Sequence, residues 1–175
     1  MASAKHTLVA LVEDKPGVLN RVASLFRRRA FNIESIAVGH SELPNISRMT
    51  IVLDGKTTSV EQVRKQLEKV IDVVRVIEIS SDDMISRELA LIKVKTTPAT
   101  RSEIMQIVSI FRANIVDVGL ESLTVEVTGD EEKISSLLVL LNEFGIKELA
   151  RTGRIALVRR GSSPVKAVKK RVEKP

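Results

Sequence analysis

Residues 13–19 read Glu-Asp-Lys-Pro-Gly-Val-Leu and separate two runs of different character. Before them, residues 7–12 are apolar apart from Thr7, which is typical of a buried strand. After them, apolar residues recur at helical spacing: Val18, Leu19, Val22, Leu25 and Phe26. The stretch therefore predicts a strand-to-helix junction, with Asp14 as the helix N-cap and Pro16 in the first turn.

The predicted helix start has chemistry suited to a free amino acid. Unpaired N–H groups at a helix N-terminus favour a carboxylate, and Gly17 lets a ligand approach the backbone closely. The carboxylate of Asp14 suits an ammonium group. Asn32, a short amide at the start of the next strand, supports a binding site. The alternative is that Asp14, Pro16 and Gly17 only shape the turn.

The pattern around the junction predicts a βαββαβ unit. Further strands are expected at residues 32–38, 47–53 and 73–79, and Ser59 with Gln62 forms a capping box before a second helix. Split βαβ connections of this kind give a four-stranded antiparallel sheet with two helices on one face. The predicted fold class is therefore α+β, with the ferredoxin-like plan.

The same order of elements recurs in the second half of the chain. Its strands are predicted at residues 89–94, 114–118, 123–127 and 154–158, and its helices follow caps at Thr100 and Asp130. The letters also match: residues 22–27 (Val-Ala-Ser-Leu-Phe-Arg) align with residues 107–112 (Ile-Val-Ser-Ile-Phe-Arg), and Asn32 aligns with Asn114. The sequence predicts two tandem ferredoxin-like domains.

The repeat sets the expected domain boundaries. We expect a first domain over residues 5–80, a linker over 81–86, a second domain over 87–160 and a basic disordered tail over 161–175. At its first helix the second copy has residues 97–100, Thr-Pro-Ala-Thr, in place of the Pro-Gly pair. A ligand held by the first copy need not be held by the second.

Composition excludes several classes of function. The 175 residues contain no cysteine, which excludes disulfides and thiolate chemistry and fits a cytoplasmic protein. No apolar run approaches the roughly 18 residues needed to span a bilayer, and no secretory signal is visible. The two histidines, His6 and His40, lack metal-ligand spacing, and no nucleotide-binding or hydrolase motif is present. We therefore expect neither a membrane protein nor an enzyme.

The net charge of +6 raises the alternative of an RNA-binding module, since RNA-recognition domains share the βαββαβ plan. Residues 161–175 hold five basic side chains and one acid, so most of the charge lies in the tail. Aromatic residues are 2% of the chain and all are Phe, which leaves few platforms for stacked bases. No nucleic-acid partner is expected.

Several runs together resemble an ACT domain and, more narrowly, the family of small regulatory subunits of acetolactate synthase. They are residues 13–22 (Glu-Asp-Lys-Pro-Gly-Val-Leu-Asn-Arg-Val), 31–36 (Phe-Asn-Ile-Glu-Ser-Ile), 47–51 (Ser-Arg-Met-Thr-Ile), 87–94 and 148–153. The resemblance covers about residues 6–160 in order, which a stray motif would not do. Residues 161–175 lie outside it.

The resemblance implies a non-catalytic subunit of branched-chain amino acid biosynthesis. Such a subunit activates a thiamine-diphosphate enzyme that makes acetolactate and acetohydroxybutyrate, and it confers feedback inhibition, usually by valine. The cofactors, thiamine diphosphate, magnesium and often FAD, belong to the catalytic large subunit, and none is expected on this chain. The alternative within the ACT class is an amino-acid sensor that regulates a different enzyme.

The resemblance also implies the position of the effector. In the family, two ACT domains pair as a homodimer, and the effector lies between the first helix of one and the second strand of the other. Carried onto this sequence, the site consists of Asp14, Lys15, Pro16, Gly17, Val18 and Leu19, with Asn32 and Ile33 from the mate. Family members often carry Asn where this chain has Asp14. The acid at position 14 suits an ammonium group but repels a carboxylate.

Overall fold

The structure is a computed structural model that describes residues 5–55, 59–79 and 84–159. Among these residues, none of the helices has the length and apolar character that a bilayer span requires. In chain order the elements are β1 (Lys5–Glu13), α1 (Val18–Arg28), β2 (Ile33–His40), β3 (Ile46–Asp54), α2 (Val60–Leu67), β4 (Val73–Ile79), β5 (Met84–Lys95), α3 (Arg101–Ile110), β6 (Asn114–Val118), β7 (Ser122–Gly129), α4 (Glu131–Asn142), β8 (Ile146–Arg151) and β9 (Ile155–Val158).

The chain divides into two compact units, and the first has the predicted ferredoxin-like architecture. Its strands lie in the order β2-β3-β1-β4, with antiparallel neighbours throughout. Alternate residues of β1, namely Leu8, Ala10 and Val12, pack with buried residues of α1 and α2 in one core. This alternation follows from the two-residue period of a strand, and it leaves Val9 and Leu11 on the opposite face.

The second unit repeats the plan, with strands in the order β6-β7-β5-β8 and a core built on Ala90, Ile92 and Val94. The tandem ferredoxin-like prediction is confirmed. The fourth strand in this order is β8, which the prediction missed, whereas the residues predicted as the last strand form β9, which pairs with β5 outside this order. Only Ile146 of β8 is even half-buried, so this edge strand lacks the apolar pattern by which strands are recognised.

The C-terminal end of the described chain returns to the first unit. Among the described residues, those from Gly153 to Arg159 cluster with those from Lys5 to Ile85, and the second unit covers Ser86–Thr152. In β9, Ala156 packs on Val9 and Ile79, which lie on the sheet face opposite α1 and α2. The residues predicted as the last strand of the second copy therefore cover the back of the first.

The predicted helix caps are partly right. Ser59, Thr100 and Asp130 occupy the N-cap positions as predicted, and Asp130 accepts a hydrogen bond from the Lys133 backbone N–H at 2.9 Å. Ser59 and Thr100 make no such side-chain bond to their helices. The prediction for α1 is wrong, because its N-cap is Gly17 rather than Asp14.

One expected boundary differs in the structure. Residues 84–86 of the expected linker belong to β5, while residues 81–83 lie outside the described residues. The expected tail, residues 161–175, lies outside them as well. His6 lies in β1, with its Nδ1 3.2 Å from Glu78 Oε1.

Candidate functional site

The end of β1 is fixed by backbone hydrogen bonds to two neighbouring loops. The Glu13 N–H donates to the carbonyl oxygen of Asp72 at 2.9 Å, and the Asp14 N–H donates to that of Asn45 at 2.8 Å. Asn45 has a left-handed backbone, with φ at 59°. The turn that follows β1 therefore starts from a rigid frame.

The turn leaves the start of α1 open. Gly17 has φ at 88°, a conformation that favours glycine, and a Cβ atom built there would meet nothing within 4 Å. No side chain caps the helix. The Val18 N–H donates to Lys15 oxygen at 3.4 Å, and the Arg21 N–H donates to Gly17 oxygen at 3.0 Å. The N–H groups between them lack helical partners, as the geometry of a helix N-terminus requires.

Two opposite charges flank this open turn. Asp14 Oδ2 lies 3.2 Å from His40 Nδ1, at the rim of the sheet. Lys15 Nζ lies 2.7 Å from Glu13 Oε2, and this hydrogen bond raises the pKa of Lys15. His40, which the sequence analysis left without a role, is the last residue of β2. Strand register could have found it, because β3 pairs Ser47 with His40 on one side and with Val12 on the other.

The predicted site residues of the turn differ in exposure. The side chain of Val18 is buried in the core, so that only its backbone belongs to the surface. Pro16 and Leu19 are exposed. Ile36 and Val38 of β2 are also exposed, although their partners in β3 belong to the helix-side core. The helix-bearing side of the first unit thus presents apolar surface as well as free N–H groups.

Asn32 and Ile33 lie at the other end of the sheet. Ile33 pairs with Leu53, which pairs with His6, whereas Asp14 follows the opposite end of β1. Seven residues separate His6 from the end of β1, which is about 23 Å along a strand. One chain therefore brings Asp14 to Leu19 together but does not bring Asn32 and Ile33 to them.

Comparisons with known proteins match both units. The family described as "AHAS small subunit-like ACT domain" matches residues 8–75, and that described as "Small subunit of acetolactate synthase" matches residues 87–160. A probable acetolactate synthase small subunit of Archaeoglobus fulgidus is 56% identical over 155 residues, which are 89% of this chain and 97% of that protein. The chain belongs to the acetolactate synthase small subunit family.

Other members of the acetolactate synthase small subunit family agree with this assignment. The small subunit of Mycobacterium leprae is 55% identical over 88% of this chain and 91% of its own length. The crystal structure of the small subunit from Thermotoga maritima superposes with a TM-score of 0.83 at 42% identity, covering 90% of this chain and 99% of that one. The ACT domain of the first unit and the second unit are thus both features of this family.

Proposed function

We propose that this chain is the regulatory subunit that activates the catalytic large subunit of acetolactate synthase and makes it sensitive to a branched-chain amino acid, valine in the first place. The observation that carries the proposal is the family match across both units. The chain would bind the amino acid and transmit the effect of binding to the catalytic subunit. Thiamine diphosphate, magnesium and FAD would be held by the catalytic subunit.

The open turn supports the choice of ligand. The free N–H groups at the start of α1, with the partial positive charge of the helix N-terminus, would hold the effector carboxylate. The carboxylate of Asp14 would pair with the effector ammonium group, in exchange for His40. The exposed Leu19, Ile36 and Val38 would contact an aliphatic side chain.

A homodimer would complete this site. β2 lies at the edge of the first sheet, so its outer backbone groups are available for pairing with another strand. A two-fold axis pairs a strand with its own copy in antiparallel orientation. That arrangement would put Asn32 of the partner subunit beside the end of β2 that carries His40, and so beside Asp14. Asn32 and Asp14 are far apart within one chain, and a site shared between two chains would bring them together.

The test is reconstitution with the catalytic large subunit. We expect acetolactate formation to rise when the chain is added and to fall again when valine is present, with leucine and isoleucine compared at equal concentration. Unfolding of the chain alone would be followed with each amino acid, because a ligand at 100 times its Kd stabilises by about 2.7 kcal/mol. A chain that responds to an amino acid but neither binds nor activates the catalytic subunit would instead be a sensor for another enzyme.

A further inference from the structure

A groove of about 540 Å³ runs along the outer side of the first unit, between α1 and the residues that end α2 and follow it. Its polar lining comes from both sides: Asn20, Arg21, Ser24, Arg27, Arg28, Gln66 and Lys69. The C-terminal residues of α1 lie about 15 Å along the helix axis from Gly17. The groove therefore extends well away from the open turn.

The charged groups of the groove are predominantly positive. α1 contains no acidic residue. The guanidinium of Arg21 pairs with the buried carboxylate of Asp72 and is neutralised there. Across residues 5–55, 59–79 and 84–159, no acid pairs with Arg27, Arg28 or Lys69, and all three are exposed. Three unneutralised cations thus line one concave surface.

An exposed apolar residue stands at the same groove. Ile71 is 89% exposed, although Val70 before it packs against the core and Asp72 after it is buried. An isolated exposed isoleucine is ordinary, but one that borders a cationic groove supplies a contact for an apolar side chain. No aromatic residue lines the groove, so it lacks the stacking surfaces that single-stranded nucleic acids use. Cations with an aliphatic neighbour suit an acidic polypeptide.

The chain's own remaining segment is a poor occupant for the groove. Residues 161–175 carry five basic side chains and one acid, so they would be repelled by Arg27, Arg28 and Lys69. Charge complementarity therefore favours an acidic segment of another protein.

We propose that this groove docks an acidic segment of the catalytic subunit. Its carboxylates meet Arg27, Arg28 and Lys69, and an apolar residue of the same segment packs on Ile71. The identity of the partner rests on the proposed function, but the surface is separate from the effector site. Charge pairs at the rim of an interface mainly raise the association rate and make binding depend on salt.

The experiment titrates the full-length chain into a fixed amount of catalytic subunit and measures the concentration that gives half-maximal activation. We expect Arg27→Glu/Arg28→Glu to raise this concentration about tenfold or more, with the same activation at saturation, and to flatten its dependence on salt. Lys95→Glu/Lys147→Glu is the matched control, since it changes net charge equally at exposed positions of the second unit. Arg27→Lys/Arg28→Lys should stay within about threefold of wild type, because it keeps the charges.

Folding is checked in the same series. Glutamate near a helix C-terminus opposes the helix dipole, so Arg27→Gln/Arg28→Gln serves as a second variant and should show a smaller shift in the same direction. Both variants should keep the effector-induced rise in unfolding temperature. Unchanged half-maximal activation in both, with the wild type active, would overturn the docking surface alone. A wild-type chain that fails to bind the catalytic subunit would overturn the proposed function and this inference together.

Discussion

The two strand-to-helix junctions of this duplicated fold differ in the turn that precedes the helix. At the first, Gly17 takes a left-handed backbone and no side chain caps α1. At the second, the Thr97 N–H donates to Thr100 Oγ1 at 3.0 Å, the Thr100 N–H donates to Thr97 Oγ1 at 3.3 Å, and the Arg101 N–H donates to Thr97 oxygen at 3.0 Å. The turn before the second helix is thus closed by its own threonine hydroxyls and the turn before the first is not, although no side chain caps either helix. The same fold therefore does not imply the same site.

The sheet faces opposite the helices differ as well. In the first unit Val9 on this face is buried, and Ala156 of the returning C-terminal segment packs on it. In the second unit the corresponding face of β5 carries Leu91, which is 39% exposed, and Lys93, which pairs with Thr124 and Glu148. Among the described residues, a segment from the far end of the chain packs on this face of the first unit.

The largest expected effect breaks the first junction. Gly17→Asp should weaken effector binding about 100-fold or more, because a carboxylate at the start of α1 would repel the ligand's own carboxylate, and like charges in contact cost several kcal/mol. The measurement is the effector-induced rise in unfolding temperature together with valine inhibition of the reconstituted enzyme. Activation of the catalytic subunit should persist. Unchanged inhibition would remove the open turn from the effector site.

A smaller substitution at the same position separates charge from backbone strain. Gly17→Ala places a methyl group in open space but keeps the unfavourable φ, which costs a non-glycine residue about 1–2 kcal/mol. It should therefore lower the unfolding temperature while leaving effector affinity within about tenfold of wild type. Equal loss of binding in the Ala and Asp variants would mean that turn geometry, rather than charge, controls the site.

The second prediction concerns the covered sheet face. A Cβ atom at Gly153 would lie 2.4 Å from the carbonyl oxygen of Ile36 and 2.7 Å from its carbon, both backbone atoms that cannot move aside cheaply. Gly153→Ala should destabilise the protein by about 1–3 kcal/mol in urea unfolding. Gly39→Ala is the control, because a Cβ there meets nothing within 4 Å and should change stability by less than about 0.5 kcal/mol. Similar stability of the two variants would mean that the C-terminal segment does not pack as closely as described.

The sequence predicts most of the fold because the strands and helices that form the cores have simple apolar patterns. The mainly apolar runs of β1, β3 and β5 and the helical spacing of α1 identify these elements directly. What it hides is β8, whose residues are mostly exposed, and the destination of β9. An apolar run such as residues 155–158 predicts a strand but not which sheet it will cover, and within β9 only Ala156 is buried.

The candidate site shows the same limit. The turn was found because Pro16 and Gly17 are local signals whose chemistry does not depend on the rest of the chain. The neighbourhood of Asp14 was not, because His40 reaches it through the register of β2 on β3 and of β3 on β1. This contact depends on the registers of two strand pairings, whereas a sequence pattern identifies each strand separately and does not give its register on a neighbour.

The third prediction uses the internal repeat as its own control. Asn32→Ala should weaken effector affinity about tenfold, since a hydrogen bond to a charged group contributes about 1.5–3 kcal/mol. Unfolding without ligand should not change, because Asn32 is exposed. Asn114 is its counterpart in the second copy and donates to Glu126 Oε1 at 3.2 Å. Asn114→Ala should leave effector affinity as it is. A loss of stability in ligand-free Asn32→Ala would make Asn32 a structural residue instead.

The smallest expected effect compares the two junctions directly. Thr97→Val removes the hydroxyl that accepts the Thr100 N–H, and loss of such a bond at a helix start costs about 1 kcal/mol of stability. Asp14→Ala removes only the exposed contact with His40, which contributes at most about 1 kcal/mol and commonly less. Ligand-free unfolding should therefore shift more for Thr97→Val.

The order should reverse when the effector is added, because only Asp14→Ala would reduce the stabilisation that the ligand provides. If both substitutions changed the unfolding temperature equally with and without ligand, both helix starts would be structural turns, and the first would not be the effector site.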